Sequence, residues 1–237
     1  MVDAREPDDD AVETDELAIQ YYQEMWERGG NKGKPAVING QAFVMACPGQ
    51  SGDVIYVFLH VENGVIADAK WMCHLCDPWM QVAGDIACTL VQGRQKDAVL
   101  DLTAQDFFNV LGGASRLIAE HCGAALLTVA KAAVDYEVRA VLASRTRVPL
   151  TSKTKISDLG FSGIEGQRAL RALLEAPFAA HNLMLPRAKL QEWLMTGTVQ
   201  DVTLGVQALL ENKFIERVKG GGCRFPRSFE ESLQRHQ

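Results

Sequence analysis

The sequence predicts an α+β fold, a three-stranded antiparallel sheet packed by helices, followed by a mostly α, winged-helix-like domain. Two observations carry the first half. Residues 42–46, 54–61 and 65–71 are rich in β-branched or aromatic side chains. Between the last two runs, Asn63-Gly64 supplies the positive φ angles of a tight hairpin turn. A third observation carries the second half. Residues 167–175, 186–195 and 199–211 show helical apolar spacing, and residues 214–218, Gly220-Gly221-Gly222 and residues 223–225 read as strand, turn, strand.

The elements follow in order. Leu17, Tyr21, Met25 and Trp26 recur at helical intervals over residues 17–28, and Gly29-Gly30 ends the pattern. After the three strands, Asp77 suits an N-cap and Pro78 a first turn, which predicts a helix to about residue 92 before Gly93 breaks it. A helix over residues 104–111 and a long one ending near Ser144 complete the first domain. Residues 147–157, polar and interrupted by Pro149, read as a linker. Thr196-Gly197-Thr198 is the short turn expected between the helices of a helix-turn-helix unit. The expected organisation is a disordered acidic tail over 1–16, a domain over 17–146, the linker, and a winged-helix-like domain over 158–230.

Composition excludes several classes. The 237 residues have an ordinary apolar and charged balance, unlike a fibrous or disordered chain. No apolar run reaches the roughly 20 residues of a membrane span, and residues 1–5 lack the basic and apolar regions of a signal peptide. A cytoplasmic protein with no membrane partner is expected. Residues 1–16 carry eight acids against Arg5 alone, whereas residues 145–237 hold fourteen Lys/Arg against nine Asp/Glu. That basic excess suits nucleic acid and an acidic protein surface equally.

Six cysteines in a cytoplasmic chain, two spaced as Cys73-x-x-Cys76, point to metal or redox chemistry rather than structural disulfides. Cys47 ends the first predicted strand, Cys73 and Cys76 follow the third, and Cys76 lies against a helix N-terminus, whose dipole favours a thiolate. Cys122 adjoins another helical run. Thiolates select iron-sulfur clusters, zinc and Cu(I) over hard cations. Cys88, inside a helix, reads as a core residue, and Cys223, near the tip of the predicted wing, as a free exposed thiol. Trp71 and Trp79 flank the cysteines and read as packing that covers them from water.

The order Gly52-Asp53, Val61-Glu62-Asn63-Gly64, Asp68-Ala69-Lys70, Cys76 and then His121-Cys122 resembles the iron-sulfur scaffold family typified by IscU and the N-terminal part of NifU. The long helix after Cys122, with Ala132-Ala133-Val134-Asp135-Tyr136, is similar to that family's C-terminal helix, so the likeness covers about residues 17–144. The resemblance implies an IscU/SufE-like sheet-and-helix domain. It also implies a ligand set of three cysteines and an aspartate, on which Asp53, Cys76 and Cys122 fall, with His121 preceding the last. Ser51 stands where the family has its first cysteine, and Cys47 and Cys73 are the replacements expected at the site. The proline-containing segment that many scaffolds carry before His-Cys is replaced by residues 115–120.

The function implied is a scaffold or carrier rather than an enzyme. It would bind iron and a 2Fe-2S or 4Fe-4S cluster through Cys73, Cys76, Cys122, Asp53 and Cys47, with His121 as a further metal-site residue. Its implied partners are a cysteine desulfurase and recipient apoproteins. Two other readings stand beside it. One is a metal- or cluster-sensing regulator that binds DNA through Arg217, Lys219 and Arg224 of the winged helix. The other is a zinc-dependent sulfur-transfer protein resembling SufU.

Overall fold

The structure, a computed structural model, describes residues 9–46, 52–147, 149–220 and 223, with side chains from Glu16 onward. Strands β1 (Gly40–Met45), β2 (Val54–Glu62) and β3 (Val65–His74) form one antiparallel sheet in the order β1-β2-β3. Asn63 and Gly64 both take positive φ, 51° and 80°, as the two-residue hairpin turn requires. One face of the sheet buries Ile55, Val57, Leu59, Ile66, Ala69 and Trp71, while Phe43, Met45, Tyr56 and Met72 on the other are exposed.

The buried face is covered by α2 (Pro78–Val91), and small residues let it sit close. A side chain at Gly84 would come within 3.0 Å of Ile55 Cδ1 and 3.3 Å of the Trp71 ring. The helix α1 (Asp9–Glu27) packs on α2 through Ala18, Tyr21 and Met25. It begins eight residues before the expected start at Leu17, so half of the acidic stretch read as a disordered tail is helical. A fully buried Asp85 on α2 ties these elements together. Its carboxylate accepts from Tyr21 Oη at 3.0 Å, Arg28 Nη2 at 2.8 Å, the Asn31 amide and Trp71 Nε1 at 3.4 Å.

The remaining helices are α3 (Ala104–Leu111), α4 (Arg116–Ala119), α5 (Cys122–Ala143), α6 (Gly163–Glu175), α7 (Arg187–Thr196) and α8 (Val199–Gly220). The chain divides into two compact units. One comprises the described residues up to Ala132 together with those from Phe214 onward, and the other is Ala133–Lys213, which contains the described part of 147–157. In the second unit Gly197 and Gly205 are close approaches to Trp193. A Cβ at Gly205 would meet its ring, and one at Gly197 would lie 2.5 Å from its Cα.

The predicted β-ribbon is corrected over its first strand. Residues 214–218 are the last turns of α8. Val202, Val206, Leu210, Phe214 and Val218 are all buried and spaced four apart, so the apolar cluster that reads as a short strand continues a helical stripe. Residues 224 and 225 of the expected second strand lie outside the described residues. No described helix is long and apolar enough to cross a membrane.

Candidate metal centre

The site lies at the end of the sheet where β2 begins and β3 stops. Ile55 pairs with Cys73 and Val54 with His74, so β3 runs three residues beyond its expected end and Cys73 is part of the strand rather than of the loop after it. Leu75, exposed, takes a left-handed φ of 58° and turns the chain sharply. The turn carries Cys76 back toward β2, with its Sγ 3.8 Å from the Val54 carbonyl oxygen. Asp77 then caps α2, its Oδ1 accepting from the Met80 amide at 2.8 Å, with Pro78 in the first turn as expected.

The second cysteine element is brought to the first by one polar contact. Asp77 Oδ2 lies 3.0 Å from His121 Nε2, and the other ring nitrogen, Nδ1, lies 2.8 Å from the Leu117 carbonyl oxygen. Both partners are acceptors, so both nitrogens donate when the ring is the imidazolium. Burial of His121 opposes that charge, but the bonds to Asp77 and Leu117 outweigh it and raise the pKa above the usual histidine value. Both ring nitrogens of His121 are thus engaged within the protein, and the side chain links the start of α2 to the residue that precedes Cys122. Cys122, fully buried, opens α5, so both Cys76 and Cys122 lie at helix N-termini that favour thiolates.

Asp53 immediately precedes β2 and is only 2% exposed, and its Oδ2 has no hydrogen-bond partner among the described residues. A buried carboxylate oxygen left bare is costly unless something else ligates it.

Four of the five described cysteines are paired. Cys73 bonds Cys76 and Cys122 bonds Cys223, so three of the cysteines read as ligands, Cys73, Cys76 and Cys122, stand in disulfides. This corrects the expectation that the cysteines stand apart from disulfides. Accordingly, no three His, Cys, Asp or Glu side chains converge as a ready-made cage among the described residues. Cys223, expected to be exposed and free, is instead only 4% exposed. Cys88 is the buried free core cysteine that was expected, its thiol pushed well up, first by burial and then by Asp85. Trp71 is buried as predicted. Cys47 and Ser51 lie outside the described residues.

The residues assigned to nucleic acid are arranged differently from a wing. Arg217 lies on α8, with Nη1 3.3 Å from Asp101 Oδ1 and Nη2 3.5 Å from the Leu102 carbonyl oxygen. Lys219 is exposed near the end of the same helix, and Arg224 lies outside the described residues. On α8, Thr203 and Gln207 are buried, while Gln200 and Asp201 are exposed.

Missed from the sequence were Asp85 and the pairing of Cys223. Asp85 had a signal, an acid at an otherwise apolar helix position, whereas nothing local marks a contact spanning 101 residues.

The fold is that of an α+β protein built on a three-stranded antiparallel sheet, with Cys73 and Cys76 at the end where β3 stops. The chain is similar to the solved N-terminal part of a nitrogen-fixing NifU-like protein from Brucella abortus, at 17% identity over 51% of this chain and 92% of that one, with a TM-score of 0.37. No family model and no curated protein matches the sequence.

Proposed function

We propose that this chain is a scaffold or carrier that takes an iron-sulfur cluster as cargo and passes it to recipient apoproteins. The observation that carries the reading is the Asp77–His121 contact, because it joins the residue after Cys76 to the residue before Cys122. It links the start of α2, just after Cys76, to the start of α5 at Cys122, 46 positions further on, and Asp53 before β2 has an Oδ2 without a hydrogen-bond partner among the described residues. Soft thiolates hold iron well, whereas a carboxylate is a harder and more exchangeable donor, which suits a site that must release what it binds. The chain itself catalyses no turnover in this reading. Sulfur comes from a cysteine desulfurase, and His121 holds a proton next to Cys122.

The test is anaerobic purification under reducing conditions, followed by iron, zinc and acid-labile sulfide analysis. Iron and sulfide in near-equal amounts support the reading, and zinc without sulfide overturns it in favour of zinc-dependent sulfur transfer.

A further inference from the structure

We propose that Cys223 supplies the thiolate that Ser51 lacks, so that the site is made of two dithiols, Cys73 with Cys76 and Cys122 with Cys223. The inference rests on the scaffold reading and names one of its ligands.

Three observations lead to it. First, Cys223 is bonded to Cys122, the cysteine that the Asp77–His121 contact ties to Cys76. Second, its position is built rather than incidental. The last turns of α8 bury Phe214, Ile215 and Val218 in the same unit as the sheet, Arg217 bonds Asp101 and the Leu102 carbonyl, and the Cys223 amide donates to the Val218 carbonyl at 3.4 Å. Third, the two pairs have similar spans, with Cα–Cα distances of 5.8 and 6.1 Å. Two thiolates on one tetrahedral soft metal sit about 3.8 Å apart, given metal-sulfur bonds of about 2.3 Å, and cysteines at such backbone spans reach that separation by side-chain rotation. A disulfide between two such ligands is the oxidised state of the same pair.

Loading requires reduction. The two disulfides take up four electrons and four protons from a dithiol reductant and give four thiols, which lose protons as they ligate metal.

The experiment uses the full chain, reduced anaerobically with dithiothreitol, freed of reductant and loaded with Zn²⁺ as probe. Alkylation of each cysteine is followed by mass spectrometry with and without the metal. The proposal expects Cys73, Cys76, Cys122 and Cys223 all to be protected by Zn²⁺. It also expects Cys223→Ser to weaken Zn²⁺ binding, measured against a competing chelator, by at least roughly tenfold, since even losing a residue that only supports a ligand costs that much. Protection of Cys73, Cys76 and Cys122 while Cys223 reacts equally fast in both states overturns the proposal and leaves the scaffold reading standing. No protection of any cysteine overturns both. The wild-type alkylation pattern decides the matter even where the variant folds poorly.

Discussion

Asp77 Oδ2 and His121 Nε2 lie 3.0 Å apart, and the same aspartate uses its other oxygen to cap α2. One side chain thus fixes where α2 starts and where the residue before α5 sits. Asp77→Ala removes both contacts and is expected to cost about 1 kcal/mol for the cap plus the coupling to His121. His121→Gln removes only the second. The double variant is expected to be less destabilised than the sum by roughly 0.5–3 kcal/mol in urea denaturation. Strict additivity would mean that the contact does not hold the two elements together.

Two buried aspartates are expected to respond oppositely. Asp85 accepts from four groups on α1, the following loop and β3, so Asp85→Ala strands those donors and is expected to cost about 3 kcal/mol or more. Asp53 has an oxygen with no hydrogen-bond partner among the described residues, and Asp53→Ala is expected to leave stability unchanged or raise it by about 1 kcal/mol. Urea midpoints of the two variants check this. Equal losses would contradict the reading of Asp53 as a residue kept for its ligand chemistry.

The Tyr21 hydroxyl is pushed up to about 12 by burial, and next by the adjacent Asp85 carboxylate. A raised folded-state pKa means that its stability contribution is full below the unfolded value near 10 and is lost as pH climbs through the folded value. Stability is expected to fall by up to about 3 kcal/mol between roughly pH 10 and 12. Tyr21→Phe should flatten that limb of the curve, at the cost of one hydrogen bond to Asp85 at neutral pH. Denaturant midpoints taken across that range for both proteins check it.

The sheet was legible because its signals are local: β-branched runs, an Asn-Gly turn, and an Asp-Pro start to α2. The second unit was legible as helices, yet α8 was cut short, because Phe214, Ile215 and Val218 look like a strand until the spacing from Val202 onward is followed. Of the candidate site, the sequence offered the order of Asp53, Cys76 and His121-Cys122 along the chain but not the Asp77–His121 contact that links two of its elements. The partners of the His121 ring were not legible, since one of them, Asp77, lies 44 residues away in the chain. Cys223 was misread for a similar reason. Its burial depends on α8 continuing to Gly220, and a predicted wing would have put it in solvent.

Under the proposed function the site gives its cluster up. To test this, the reduced protein is loaded anaerobically with iron and sulfide, freed of excess ions and mixed with an apo-ferredoxin, and the appearance of the ferredoxin's own cluster spectrum is followed. Transfer is expected to be faster than from iron and sulfide at the same concentrations in solution, and slower from Asp53→Ala, which lacks the exchangeable oxygen donor. A cluster that stays on this protein under reducing conditions would contradict it and point instead to a sensor that keeps its metal.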